Sequence, residues 1–198
     1  ITISVTNLTG GAQTEIDSDR VTVFRLTGSG GSIDKTEFSA LGGEAIGDTT
    51  LVTDAAIPQD VPGKTTGGVL RIRDFSDNNK NYRLRYSSWT GSTFTLASID
   101  IASATAGTNT TTVVTTGGAF SPVKRGDLVL NITQGNAVSY VVSVTDTNTI
   151  VISPAITGQT TADNIKINAI PVVVATADDI YVPLLDKYAT ASSESTSI

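Results

Sequence analysis

Gly67-Gly68-Val69-Leu70-Arg71-Ile72-Arg73-Asp74, followed after a polar turn by Tyr82-Arg83-Leu84-Arg85-Tyr86, decides the fold class. Apolar and charged side chains alternate in both segments, the period of two that a half-buried strand imposes. Asp77-Asn78-Asn79 between them is turn chemistry, so the two segments are expected to pair as a hairpin. Phe94-Thr95-Leu96 then closes the unit after the Ser87-Ser88-Trp89-Thr90-Gly91-Ser92 turn.

The same grammar recurs further on. Thr49-Thr50-Leu51-Val52, the strand after Gly68, Tyr82–Tyr86 and Phe94–Leu96 have counterparts in Thr111-Thr112-Val113-Val114, the strand after Gly126, Tyr140–Val144 and Thr149–Ile152. The copies, 49–97 and 111–153, read as four short strands each, with Gly68 and Gly126 at equivalent strand starts. Two copies point to duplication; a solenoid needs three or more. The expected fold is all-β: antiparallel β-sandwich or small-barrel modules built from a duplicated, hairpin-rich unit.

The totals agree. Of 198 residues, 18 are Gly and only 16% are charged, which fits Val/Ile/Thr-rich sheets with frequent turns and not helical surfaces. The division that follows is 1–31, N-terminal strands (Ile1–Leu8 and Val21–Leu26) with a Gly/Ser break at 27–32; 32–105, a first β module; 106–160, a second; and 161–198, C-terminal strands and tail. Lys35–Leu41 reads as a short strand or one helical turn, and Asn164–Val174 and Ile180–Leu185 as strands with Pro171 and Pro183 at bends. The first residue is not Met and alternation resumes at the end, so the polypeptide is expected to continue beyond this stretch.

Composition also restricts the chemistry. With no His and no Cys, Ser-His-Asp triads, thiol nucleophiles, disulfides and His or thiolate metal sites are excluded. The carboxylates cluster in turns, at Glu15–Asp19, Asp74–Asp77 and Asp178-Asp179, where Asp caps backbone N–H groups. Neither Asp74–Asn79 nor Glu15–Asp19 has the spacing of an EF-hand loop. No catalytic residue, cofactor or metal is therefore expected. A net charge of −6 gives nucleic acid no electrostatic foothold, and no segment is apolar for the ~20 residues a bilayer span needs. Sequons at Asn7, Asn109 and Asn131 occur by chance in a Thr-rich chain.

Two features bear on binding. If the central hairpin forms, Arg71, Arg73, Arg83 and Arg85 share one face, and like charges side by side on a sheet destabilise it. A carboxylate-bearing neighbouring subunit is the expected source of compensation, with Asp178, Asp179 and Asp186 as candidates. These four arginines are therefore the candidate subunit interface. Trp89, in a turn, is the candidate glycan contact if exposed, whereas Tyr82 and Tyr86 share a face with Leu84 and belong to the core.

Residues 67–96 resemble β-rich modules of tailed-bacteriophage virion proteins, in which a Gly-apolar-Arg-Ile strand precedes a Gly-x-Thr-Phe-Thr-Leu hairpin. Residues 126–152, with Gly126-Asp127-Leu128-Val129-Leu130-Asn131 leading to the Val144–Thr149 turn, are similar to another phage-structural pattern. The resemblance implies a structural virion component in the tail, neck, baseplate or capsid surface. It implies homo-oligomeric assembly and contacts with other virion proteins, and carries over no catalytic or ligand-binding residue. The alternative is a cell-surface or fibre module that adheres to a glycan receptor.

Overall fold

In the computed structural model, residues 25–27, 32–34 and 36–182 are described, apart from 60, 78, 79, 104, 106–109 and 177. The Ile1–Leu8 strand, the Glu15–Asp19 cluster, most of the Val21–Leu26 strand, the sequons' Asn7 and Asn109, Pro183 and Asp186 lie outside the described residues. Among the described residues every regular element is a strand, as the composition requires.

β1 (Arg25–Thr27) and β2 (Ser32–Asp34) form a two-stranded antiparallel ribbon, so the Gly/Ser segment joins two paired strands. β3 (Thr36–Ser39) is a strand, which settles the Lys35–Leu41 ambiguity. The rest builds two six-stranded antiparallel sheets. The first contains β3, β4 (Thr50–Val52), β5 (Gly68–Asp74), β6 (Lys80–Thr90), β7 (Thr93–Leu96) and β14 (Asp179–Val182) in the order β3-β14-β5-β6-β7-β4. The second contains β8 (Ile99–Ala102), β9 (Thr110–Val114), β10 (Leu128–Asn131), β11 (Ala137–Asp146), β12 (Thr149–Ile156) and β13 (Asn164–Ile167) in the order β8-β13-β10-β11-β12-β9.

These orders are one topology written twice. The strand before the opener takes one edge, the opener the other, and the last strand slots in second. In the first sheet that last strand comes from residues 179–182, after the whole second sheet has been made. The second copy is thus nested inside the first. This departs from the expected contiguous modules: β8, although it lies within 32–105, belongs to the second sheet, and β14, from within 161–198, completes the first.

Registers match between the copies. Leu51 faces Phe94 as Val113 faces Ile150. The pairing slips by one residue after Tyr86↔Leu96 in the first sheet and after Val141↔Ile152 in the second, a shared β-bulge. Gly67 (φ 77°) and Gly126 (φ 81°) occupy the equivalent left-handed position, so the partner of Gly126 is Gly67, one residue earlier than the expected Gly68. At Gly67 a Cβ would lie 2.4 Å from the Tyr86 carbonyl oxygen, so no larger residue fits the turn into β5.

Each sheet curls around its own apolar filling. In the first, β3 and β4 meet at an Ala40–Thr53 bridge, bringing the two edges together. Leu51, Leu70, Ile72, Leu84, Tyr86 and Phe94 fill that interior, while Val113, Val129, Val141, Ile150, Ile152 and Ile165 fill the second. The predicted 164–174 strand ends at Ile167, because Asn168 turns the chain with φ 51°. Residues 169–174 instead pack Ala169, Ile170 and Val174 against the first core.

Candidate assembly surface

The hairpin of β5 and β6 has the expected register: Leu70 faces Leu84, and Arg71 faces Arg83. Because opposed residues share a face, Arg71, Arg73, Arg83 and Arg85 do lie on the side opposite Leu70, Ile72, Tyr82 and Leu84. That side is the outside of the first sheet, but most of it does not meet solvent.

The compensating carboxylate belongs to the same chain. The fully buried Asp127 receives two parallel hydrogen bonds from Arg85, Nε to Oδ1 at 2.9 Å and Nη2 to Oδ2 at 2.8 Å. Arg83 Nη1 lies 3.7 Å from Asp127 Oδ1 and donates to the Gly126 carbonyl at 2.5 Å. Arg85 also donates to the Pro122 carbonyl. Asp127 sits where β10 begins, fixed because its Oδ2 accepts the Lys124 N–H and its own N–H donates to the Lys124 carbonyl. The neighbour that the arginine face calls for is therefore the second repeat. The guanidiniums of Arg83 and Arg85, expected to await a neighbouring subunit's carboxylate, are thus engaged by a carboxylate of their own chain.

A second tie reinforces this joint. Asn168, buried at the end of β13, accepts the Arg85 N–H at its Oδ1 and hands its own N–H to the Leu128 carbonyl. The outer face of β10 presents Leu128 and Leu130 to the first core, with Val138 and Tyr140 from β11 packed beside them. The two repeats thus meet through one apolar face and one arginine face closed by Asp127. A bidentate pair of this kind, made on a fully buried carboxylate, fixes orientation better than apolar contact alone.

Arg73 stands apart. It reaches Asp179, its cross-strand neighbour, at 3.8 Å, and its guanidinium lies 4.9 Å from the Phe75 ring centroid. Phe75 is 42% exposed, so the tip of this hairpin offers an aromatic ring and an arginine to solvent. Arg71 is only 5% exposed, and its Nε has no hydrogen-bond partner.

Trp89 is 2% exposed and its Nε1 donates to the Pro62 carbonyl, with Lys64 Nζ 5.1 Å from the ring. The turn expected to expose it does not, because β6 runs on to Thr90 and carries the indole into the first core. A glycan cannot stack on it in this fold.

The turn carboxylates cap backbone. Asp74 Oδ1 accepts the Ser76 N–H and hydroxyl, and Asp178 accepts the Ala175 and Phe75 N–H groups. Asp163 repeats the Asp178 arrangement: each is buried, with its carbonyl accepting an N–H, from Ser103 and Ala40 respectively. Burial alone would raise the Asp163 carboxyl, but hydrogen bonds from Thr160, Asn131 and Gln134 together hold it below the usual carboxylate range. Asn131 is spent in this cluster and fully buried, so its sequon is not open to glycosylation. Among the described residues no group of three or more Asp and Glu could hold a metal.

Thr161-Ala162-Asp163-Asn164-Ile165 and Thr176-Ala177-Asp178-Asp179-Ile180 are the sequence signature of this shared element, and the reading from sequence missed it. It was available as a near-identical pentapeptide leading into the last strand of each copy.

Tyr86 gives the first core a pH limit. Its hydroxyl donates to the Pro62 carbonyl at 2.7 Å, and burial pushes its pKa up to about 12. The folded state thus favours the neutral phenol, so stability is intact below the unfolded value near 10 and falls as pH rises towards 12. The expected loss is about 3 kcal/mol over that range. Urea denaturation at pH 9 to 12 checks it: Tyr86→Phe should decline less steeply than the parent, and equal slopes would refute the assignment.

No family model matches this chain, and comparison with curated proteins and with solved structures finds no match either.

Proposed function

We propose that this chain is a non-enzymatic structural component of a tailed-bacteriophage virion that assembles with copies of itself and with neighbouring virion proteins. The observation carrying the reading is that both stretches resembling phage-structural modules, 67–96 and 126–152, fold as the same three-strand meander at the same place in each copy. The resemblance therefore follows the repeated building block. The duplicated, tightly tied pair of sheets supports a mechanical role, and the exposed Arg73–Phe75 tip supports a contact point, since arginine and aromatic side chains dominate interface energetics. The glycan-adhesion alternative loses its one named contact with the burial of Trp89.

Of the four arginines that the sequence assigns to a subunit interface, only Arg73 carries that role forward. Arg73→Glu combined with Phe75→Ser should weaken self-association about tenfold or more in sedimentation velocity, with an unchanged circular-dichroism spectrum. A double variant that associates like the parent would remove this contact. Cryo-electron microscopy of native particles tests the virion reading itself: density for two nested sheets in the particle shell or tail is the expected result.

A further inference from the structure

We infer that Arg71 is the base of a small oxyanion site, one that takes a phosphate or sulfate group on the outer face of the first sheet. Arg71 and Arg83 are directly opposed across β5 and β6, which places their Cβ atoms about 5 Å apart on one face. Both are at least nine-tenths buried. Arg73 and Arg85 flank them on the same face.

Two carboxylates, Asp127 and Asp179, pair with three of these four cations. Asp127 is committed to Arg85 by a two-bond fork and to Arg83 at longer range. Asp179 lies against Arg73. Arg71 has no ion pair of its own among the described residues, and its Nε is a buried donor without an acceptor.

A guanidinium stays charged at any relevant pH, so it cannot relieve burial by releasing a proton. A buried donor without a partner costs stability, more so when the group is charged. A tetrahedral oxyanion relieves this penalty, because its several oxygens can accept from the planar guanidinium fork. Along the row Arg83, Arg71, Tyr181 on β14 and Glu37 on β3, Glu37 is the one acidic position, two strands from Arg71. The equivalent row of the second sheet runs Leu130, Lys166, Asp100, where Lys166 meets Asp100 at 2.7 Å and the Arg71 position is leucine. An arginine at this place is thus not a requirement of the fold.

The test uses the full chain and inorganic phosphate as the probe, titrated to about 20 mM against sodium chloride at matched ionic strength. The thermal midpoint of the parent should rise saturably, by about 3–6 °C at ten times the half-saturating concentration. Arg71→Met should abolish the rise without lowering the midpoint in chloride. If parent and Arg71→Met respond alike, or neither responds, the site does not exist. If phosphate has no effect and Glu37→Gln lowers the midpoint, Glu37 neutralises Arg71 and the proposal is overturned. The titration needs only the isolated chain, so its outcome is independent of the virion reading.

Discussion

Asp127→Ala is expected to destabilise the chain by about 3–5 kcal/mol, measured as the loss in unfolding free energy in urea. The residue is fully buried, and its carboxylate is the counter-charge for Arg85 and Arg83. Removing it takes the counter-charge from two guanidiniums, of which Arg83 is almost wholly buried, and leaves the Gly126 and Pro122 carbonyls as neutral acceptors. It also frees the Lys124 N–H that Asp127 caps at the entry to β10. The cost comes mostly from the uncompensated cations and not from the worth of the pair itself. A second variant separates these: Asp127→Leu with Arg83→Met and Arg85→Met removes all three charges and should recover most of the lost stability. If the triple variant is as unstable as Asp127→Ala, the loss comes from the cap on β10 and not from charge burial. If Asp127→Ala costs less than about 1 kcal/mol, the joint is not desolvated as the geometry requires.

The joint also shows where sequence reading stops. Alternation around Leu70 and Leu84 was enough to give the hairpin, its register and the shared arginine face, because strand geometry has a period of two and a turn fixes the pairing. Composition was enough for the all-β class. The repeat was legible too, since apolar spacing records the core of each copy. What could not be read was which surfaces meet. Asp127 lies far along the chain from Arg85, in a Lys-Arg-Gly-Asp run that looks like an exposed turn, and nothing local marks it as buried. Trp89 was misplaced for a related reason. Ser87, Ser88, Thr90 and Gly91 around it are turn residues by composition, yet with a bulge after Tyr86 the strand runs on to Thr90. The nesting was hidden because the last strand of the first copy follows the entire second copy, so a search for contiguous modules cuts the chain in the wrong places.

That nesting makes a distinct prediction through Phe94. The ring is fully buried in the first core, 6.0 Å edge-on from Phe38 and 5.0 Å from Tyr86 between centroids. Truncation to Ala removes the ring from a packed interior and is expected to cost about 3–5 kcal/mol. The contacts join β3, β6 and β7, so loosening them should affect the whole first sheet. In that sheet β14 hydrogen-bonds between β3 and β5, at Ile180 opposite both Phe38 and Ile72. Amide hydrogen exchange on Phe94→Ala should therefore show residues 179–182 losing protection together with 68–74. Residues 149–152 and 164–167, held by the second core, should retain more of theirs. The contrast is between segments in inverse relation to the sequence: 164–167 is the near neighbour of 179–182 along the chain, whereas 68–74 is its neighbour in the sheet. If 179–182 instead exchanges in step with 164–167 and apart from 68–74, the C-terminal strand belongs to a separate unit and the second copy is not nested within the first.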